Sequence, residues 1–326
     1  MKCFLTCVSL LTLFATKAIA IITYGESNAT ATVKYDNSAT AAEYSVVFVE
    51  AYAGYANSAS GVYLGNGWFL TANHVSTPLG GLVSQNGESA LITYVDNSLN
   101  QKYNVDLKLF YVSDVENFDY LTSINLSKDI YTQLEETAFS LYRNRFTGKY
   151  YVEAEAGTYL SLVGAGYGSS ATTNTPNASV ESDAKLGTVH SGESSIFFFS
   201  ADGYVVTLAE TITGSAKAMN GDSGGGMFYQ DSNGNWYIVA TLAASQTSLP
   251  FGSYNDVEIV YNASGTPTSL NADKLMSTCS TSAGVNLQNY IDEINAIIAT
   301  TPIPEPSTYA FIFGILSITF VVFKRK

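Results

Sequence analysis

Basic residues are scarce in this chain. Its 326 residues include 15 Lys and Arg against 28 Asp and Glu, which gives a formal net charge of -13. An acidic surface repels phosphate backbones and lacks the basic stripe that nucleic-acid binding needs, so the composition argues against DNA or RNA as a partner. Low-complexity repeats and long runs of one charge are also lacking, which argues against a largely disordered chain.

Cysteine and histidine are scarcer still. Of the three cysteines, Cys3 and Cys7 lie in an apolar N-terminal segment that export would remove, so the processed chain would keep only Cys279 and form no internal disulfide. A body of more than about 200 residues buries enough apolar surface to be stable without one. The two histidines, His74 and His190, are not clustered with Cys as a zinc site requires. Phosphate-cradling lysine loops and calcium loops are also missing from the sequence, so we expect neither a metal nor an organic cofactor.

The first 20 residues have the pattern of a secretory signal peptide. Lys2 precedes an apolar run at 3–15, and Ala18 and Ala20 place small residues at the two positions that a signal peptidase inspects. We therefore expect export, with signal peptidase as a processing partner and cleavage after Ala20.

The other end of the chain carries a second targeting pattern. The tripeptide Pro-Glu-Pro at 304–306 is followed by an apolar stretch at 309–323 and by three basic residues at 324–326. This arrangement resembles the PEP-CTERM sorting signal. The resemblance implies transient anchoring in the inner membrane of a Gram-negative bacterium, recognition by an exosortase-type processing enzyme, and delivery to the periplasm, the outer surface or the extracellular matrix. A plain C-terminal anchor is the alternative, although about 15 residues are short for a permanent span of roughly 20.

The body between these ends has the pattern of a β protein. Short runs rich in Val, Ile, Tyr, Phe and Thr alternate with clusters of Gly, Asn, Asp and Ser, which is typical of an antiparallel sandwich or barrel. Apolar residues at intervals of four, three and four predict one helix within 285–298. We divide the chain into a signal peptide at 1–20, a folded body at 21–299, and a linker with sorting signal at 300–326. The predicted strands are 44–49, 68–71, 90–95, 103–112, 159–163, 204–208 and 236–242.

One histidine ends a strand-like segment, whereas the other does not. Residues 65–75 read GNGWFLTANHV and contain His74, while His190 stands in a turn-like setting with no recognisable partner motif. The segment resembles the histidine motif of trypsin-like serine peptidases. It departs from that motif at Asn73, where a second alanine is usual, and at Val75, where many members carry a disulfide cysteine. Neither departure removes the His74 imidazole, which the resemblance implies is the general base.

A glycine-rich segment further along carries a serine. Residues 220–226 read NGDSGGG and resemble the nucleophile motif of the same family. Glycines on both sides of Ser223 let the backbone approach a substrate closely, so the amides of Gly221 and Ser223 can point at one oxygen. Two such donors stabilise the oxyanion that develops in acyl transfer. Alone, the string could be an ordinary loop, but its order after the His74 segment favours a nucleophile.

A serine nucleophile needs a base, and the base needs an orienting acid. Asp119 stands between His74 and Ser223 in the segment NFDYLTSINL, where it precedes alternating apolar residues as the family's acid does. Asp114 and Glu116 are close competitors, but neither opens the alternation. The sequence therefore predicts Asp119 as the third member of a triad.

The family resemblance implies a fold and a reaction. Segments 163–168 and 284–294 resemble the opening of the family's second barrel and its strand-to-helix finish. The implied fold is all-β, with two six-stranded antiparallel barrels, the site in the cleft between them, and a C-terminal helix. The implied function is a secreted serine endopeptidase acting on protein or peptide substrates. Two alternatives stay open: a catalytically silent binding or matrix protein on the same fold, and an esterase.

Two further roles follow from the resemblance. Lys217, six residues before Ser223, resembles the position at the base of the family's primary pocket, where an ammonium would favour an acidic or polar substrate side chain; a loop of different length would instead turn it to water. If cleavage follows Ala20, the mature chain begins at Ile21. Its ammonium would then pair with Asp222 and shape the oxyanion hole, so the enzyme would be active on secretion. A later cut would leave a polar start that cannot be buried.

Overall fold

The computed structural model describes residues 22–23, 39–51, 59–143, 150–153, 160–167, 189–194, 197–209, 216–218, 221–245, 257–261, 275–278 and 280–301. The signal peptide, all but the first two residues of the predicted linker and sorting signal, and Cys279 lie outside them. The strands are β1 (Ile22–Thr23), β2 (Val46–Glu50), β3 (Ala59–Gly65), β4 (Trp68–Thr71), β5 (Leu82–Gln85), β6 (Glu88–Asp96), β7 (Lys108–Val112), β8 (Ser140–Arg143), β9 (Tyr150–Glu153), β10 (Leu162–Gly166), β11 (His190–Ser194), β12 (Phe197–Phe199), β13 (Tyr204–Ala209), β14 (Ala216–Lys217), β15 (Gly226–Gln230), β16 (Trp236–Ser245), β17 (Val257–Tyr261), β18 (Leu275–Thr278) and β19 (Ser280–Asn286). The helices are α1 (Ala41–Tyr44), α2 (Ser98–Tyr103), α3 (Ile130–Thr137) and α4 (Ile291–Thr300), with a 3-10 turn at Val115–Asn117.

Six strands close into an antiparallel barrel in the order β2-β3-β4-β7-β6-β5. Two of its hairpins turn on Asn-Gly pairs with positive φ at both residues: 51° and 80° at Asn66 and Gly67, and 50° and 88° at Asn86 and Gly87. These are the backbone angles of two-residue type I′ turns, whose twist matches that of the flanking strands. At Gly67 a Cβ would lie 2.5 Å from the Tyr111 side chain, so only glycine fits this turn.

The strand β4 is buried on both faces. Phe69 points into the closed barrel, where its ring stacks on Phe110 at 5.1 Å between centroids. Trp68 and Leu70 point the other way, into a larger core shared with the second half of the molecule. A strand fixed from both sides gives the residues after it, which include His74, a rigid starting point.

The second half is built on a seven-stranded antiparallel sheet in the order β11-β10-β15-β16-β19-β13-β12. The sequence predicted a second six-stranded antiparallel barrel. Among the described residues this sheet forms a half-barrel, and β14, which lies against both β11 and β13, pairs with β1. A separate four-stranded sheet, β18-β17-β9-β8, was not predicted.

Of the predicted apolar stripe, Leu287, Ile291 and Ile294 are buried and Ile298 is partly buried, although Leu287 lies before α4 and Ile297 is a further buried residue of the helix. The helix begins later than the sequence predicted, because Val285 still pairs with Tyr204 and Thr241 in the sheet. Within the described part of the chain, no helix is both long enough and apolar enough to cross a membrane. The predicted membrane segment at 309–323 lies outside that part.

Candidate active site

His74 stands on a short turn that follows β4. The Val75 amide donates to the Ala72 carbonyl at 3.1 Å, and both of these residues are buried against the barrel core. The turn is therefore anchored on either side of His74. The His74 side chain keeps 49% of its surface exposed, so the imidazole is available at the barrel rim.

The acid that meets His74 is Asp106. Its Oδ2 lies 2.7 Å from His74 Nδ1, and its Oδ1 accepts the His74 backbone amide at 2.9 Å. The contact follows from strand pairing. Because β4 and β7 are antiparallel and Thr71 pairs with Lys108, the residues just after Thr71 and just before Lys108 meet at the same edge of the barrel.

The environment of Asp106 favours its ionised form. Burial by itself raises the pKa of the carboxyl. The carboxylate accepts hydrogen bonds from the His74 ring and from the backbone amides of His74 and Asn73, and it is attracted by the imidazole. These interactions outweigh burial and bring the pKa below its usual range. An ionised carboxylate only accepts hydrogen bonds, so His74 Nδ1 carries the ring proton of the neutral imidazole and Nε2 is left as the basic nitrogen.

The predicted pairing of His74 with Asp119 is wrong. Asp119 is exposed, and its amide donates to Glu88 Oε2 at 2.8 Å. Glu88 begins the nine-residue strand β6, whose other end, Asp96, pairs with Leu109 near Asp106. Strands rise about 3.3 Å per residue, so roughly 25 Å of strand separate the two regions.

The competitors Asp114 and Glu116 are exposed as well. The alternation that singled out Asp119 belongs to a segment with only an isolated bridge, Asn125 to Tyr237. Asp106 also precedes alternating apolar residues, because Leu107 and Leu109 are both fully buried. That signal was available in the sequence, but the lysine between the two leucines obscures it.

Lys108 is a residue of this site that the sequence reasoning missed. It is only 6% exposed, and its Nζ donates to the carbonyl of Val75, directly after His74. Burial lowers its pKa from 10.5 to about 8, against the opposing attraction of Asp106. A buried ammonium, on the same face of β7 as the barrel-core residues Phe110 and Val112, thus holds the backbone that follows His74.

Residues 221–226, here called the serine loop, lie against the two strands that lead to His74. A Cβ on Gly224 would lie 2.0 Å from the Ser60 carbonyl oxygen and 2.1 Å from Thr71 Oγ1, so the loop backbone touches both β3 and β4. The Ser223 carbonyl accepts the Ser60 amide at 2.8 Å. Since Thr71 is three residues before His74, the structure brings Ser223 and His74 to the same edge of the barrel. Gly221 adopts a φ of 97°, which glycine tolerates and other residues avoid.

Asp222 and Lys217 both precede Ser223 in the chain. Asp222 is 1% exposed, and a Cβ on Gly166 would lie 2.5 Å from its carboxylate, so the end of β10 packs directly on it. Lys217 belongs to β14 and pairs with Ile22 of β1. Ile21 and the Lys217 side chain lie outside the described residues, so the predicted pairing of Ile21 with Asp222 and the predicted pocket role of Lys217 stay predictions.

The second histidine lies in a strand and not in the turn-like setting that the sequence suggested. His190 begins β11 and pairs with Gly166 of β10. Among the described residues, no three His, Cys, Asp or Glu side chains lie close enough together to hold a metal ion.

Many solved structures resemble this chain, two of which are described here, whereas no protein-family model and no curated protein matches it. An inactivated protease paralogue of the scabies mite, S-D1, is 12% identical and covers 82% of this chain and 97% of its own, with a TM-score of 0.46. A Glu endopeptidase is 14% identical and covers 85% of this chain and 99% of its own, with a TM-score of 0.43. At these values the likeness decides nothing about activity. The chymotrypsin-like fold class predicted from the sequence is confirmed, with its closed barrel, second antiparallel sheet and C-terminal helix.

Proposed function

We propose that the chain is a secreted serine endopeptidase in which Ser223 is the nucleophile, His74 the general base and Asp106 the acid that orients the base. The observation that carries this proposal is the double contact of Asp106 with His74, one carboxylate oxygen on the ring and the other on the backbone amide. A base held in this way has one tautomer and one orientation, which nucleophilic catalysis by serine requires.

In each half of the reaction His74 first accepts a proton and then donates it. Ser223 Oγ attacks the peptide carbonyl carbon while its proton passes to His74 Nε2, and the carbonyl oxygen becomes an oxyanion. The amides of Gly221 and Ser223 are the proposed oxyanion donors. Collapse of the intermediate expels the amine, which takes the proton from His74, and leaves an acyl group on Ser223. Water then attacks this ester by the same path, with His74 again as the base.

Asp106 supports the charged intermediate of this cycle. Its carboxyl has a lowered pKa and is therefore ionised at neutral pH, where it stabilises the imidazolium that forms when His74 accepts the proton. The net charge of the chain, -13, also disfavours a nucleic-acid substrate, in agreement with a peptide or protein as the partner.

The proposal includes a preference at the primary pocket. If Lys217 lies at the base of that pocket, its ammonium attracts an acidic or polar side chain and repels Lys and Arg. A panel of peptides that differ only in the residue before the cleaved bond tests this preference. Dominant cleavage after arginine rules it out.

The targeting patterns complete the proposal. Residues 1–20 would direct export with cleavage after Ala20, and residues 300–326 would hold the protein at the inner membrane until an exosortase-type enzyme acts at 304–306. The mature protein would then work in the periplasm, at the outer surface or in the extracellular matrix of a Gram-negative bacterium.

The deciding experiment offers the purified mature protein a peptide library and an ester panel in parallel. We expect peptide hydrolysis that disappears in Ser223→Ala while the circular dichroism spectrum is unchanged, because loss of one triad member costs on the order of a millionfold in turnover. Replacement of His190 serves as the control and leaves activity near the wild-type level. Hydrolysis of esters alone would make the protein an esterase, and a folded protein that cleaves neither would be a silent member of the fold.

A further inference from the structure

Ser60, the second residue of β3, lies where the closed barrel meets the serine loop. It is fully buried, and its backbone pairs with Phe48 in the barrel. Its hydroxyl donates to the Gly221 carbonyl at 3.0 Å and accepts the Tyr167 amide at 2.8 Å. Its own amide donates to the Ser223 carbonyl at 2.8 Å. One side chain and one amide therefore hold the serine loop on both sides of Asp222.

The same residue is tied to the strand that leads to His74. Thr71 Oγ1 donates to the Ser60 carbonyl at 2.8 Å, and Thr71 is the last residue of β4 before the histidine turn. Tyr167 directly follows β10 of the second sheet and is 1% exposed. Ser60 thus joins three parts of the site: the strands that carry the base, the loop that carries the nucleophile, and the sheet behind that loop.

The hydroxyl has a particular task at Gly221. This glycine has a φ of 97°, a region in which glycine moves with little steric restraint, so hydrogen bonds rather than side-chain packing must fix its peptide groups. The carbonyl of Gly221 belongs to the planar peptide unit that leads to Asp222, so a bond to that oxygen fixes the orientation of the whole unit. The Gly221 amide, one of the two proposed oxyanion donors, is on the other side of the same Cα.

We propose that Ser60 is a positioning residue whose hydroxyl holds the oxyanion donors of the serine loop in the correct position and orientation relative to His74. It touches neither the substrate nor the reacting atoms and acts through the Gly221 carbonyl and the Tyr167 amide. This role rests on the proposed peptidase function. A geometry in which donors are misplaced by a fraction of an ångström binds substrate normally but stabilises the transition state less.

Ser60→Ala removes both hydroxyl contacts and keeps the strand. We expect kcat to fall by about 10- to 100-fold while KM stays within about twofold, the pattern of an interaction realised mainly in the transition state. The rate at which a fluorophosphonate labels Ser223 falls by a similar factor, since its phosphoryl oxygen occupies the same donors, but labelling still reaches one group per chain. Ser60→Cys keeps a hydrogen-bonding group at this position, although the S–H is a weaker donor and sulfur is larger than oxygen, and gives a smaller loss.

Ser45→Ala is the matched control. Ser45 is also fully buried, and its hydroxyl donates to the Ala42 carbonyl at 2.7 Å, while its carbonyl accepts the amide of Tyr63, three residues further along β3 than Ser60. Its loss lowers the urea midpoint in the same way as that of Ser60 but leaves kcat unchanged. If Ser60→Ala and Ser60→Cys keep wild-type kcat in an enzyme that cleaves peptides, the positioning role is overturned while the peptidase function stands. If the folded wild-type protein neither cleaves peptides nor accepts the label, both proposals fall.

Discussion

At the scale of single residues, the site depends on the end of β4 lying beside the start of β7. Thr71 and Lys108 are partners across β4 and β7, and the chain places a base three residues after one and an acid two residues before the other. The contact between His74 and Asp106 is thus fixed by a backbone ladder and not by the loops alone. Asp119, whose local sequence fits the family pattern, is exposed and contacts Glu88 and not His74.

The first prediction compares the two acids. Asp106→Asn keeps the shape of the side chain but presents an amide that can stabilise the wrong tautomer of His74, so kcat/KM should fall by about 10⁴-fold. Asp119→Asn, at an exposed position, should stay within about twofold of the wild type. Steady-state kinetics on one peptide substrate measures both. A loss in Asp119→Asn as large as that in Asp106→Asn would restore the acid that the sequence suggested.

The second prediction concerns the buried ammonium of Lys108. Its pKa is about 8 in the folded protein and 10.5 as the ordinary value, so between these pH values the unfolded chain binds a proton that the folded chain has released. The contribution of Lys108 to the free energy of unfolding therefore rises with pH across this window, by at most about 3 kcal/mol.

Lys108→Met tests this by urea unfolding at pH 7 and pH 10. The variant should lack the rise that the wild type shows between the two pH values, whereas Lys128→Met, which removes a lysine from the exposed ion pair with Asp292, should keep it. Parallel pH dependence in the wild type and Lys108→Met would show that the ammonium is not buried in the folded state.

At the scale of elements, the sequence predicted the strands whose positions depend on the local pattern of apolar residues. The strand at 68–71 matches β4, and 236–242 and 204–208 lie within β16 and β13. Two predicted strands begin too early because helical turns precede them. Thr40 and Glu43 form a capping box that starts α1, so β2 begins at Val46.

The second early start is at 103–112, where α2 runs to Tyr103 and β7 begins only at Lys108. This shift hid Asp106, which falls inside the predicted strand and not before it. The pairing of β4 with β7 joins residues more than 30 positions apart, and no local pattern of a single sequence encodes such a partner. The serine loop and the histidine turn, whose motifs are local, were predicted correctly as segments.

The third prediction concerns the start of the mature chain. The pairing of β1 with β14 brings Ile22 opposite Lys217, on the strand that precedes the serine loop. We propose that a free ammonium at Ile21 reaches the buried Asp222 and shapes the oxyanion hole. A buried ion pair that loses one partner costs about 3 to 5 kcal/mol, so one extra residue before Ile21 should lower kcat by at least about 100-fold.

N-terminal sequencing of the active exported protein gives the natural start, and kinetics of the extended variant gives the effect. Asp222→Asn should show a loss of the same order, because it removes the other partner. A natural start at another residue, or full activity in the extended variant, contradicts this activation route.

At the scale of the whole molecule, contacts between the two halves converge near the site. The helix α4 at the end of the second half is tied to α2 of the first half by the Lys102 to Glu293 ion pair, at 2.8 Å, and by the edge contact of Tyr103 with Tyr290. Exposed ion pairs of this kind contribute little to stability. The buried contacts of Ser60 and the shared core around β4 therefore hold the halves together.

The fourth prediction concerns the C-terminal end of the chain in the cell. If 304–326 is a removable sorting signal, the protein recovered from the surface or medium should end near Pro304 and lack the apolar segment 309–323. Mass spectrometry of the C-terminal peptide measures this directly. Recovery of an exported form that still contains Phe323 would identify the segment as an ordinary membrane anchor.

The proposed triad is tested most directly by covalent labelling. The purified mature protein is treated with a fluorophosphonate, and the modified peptide is identified by mass spectrometry in the wild type and in His74→Ala. We predict one phosphonyl group per chain on Ser223 of the wild type, and a labelling rate at least about 1,000-fold lower when the base is removed. A folded wild-type protein that takes up no label, or that is labelled at another serine, would contradict the account.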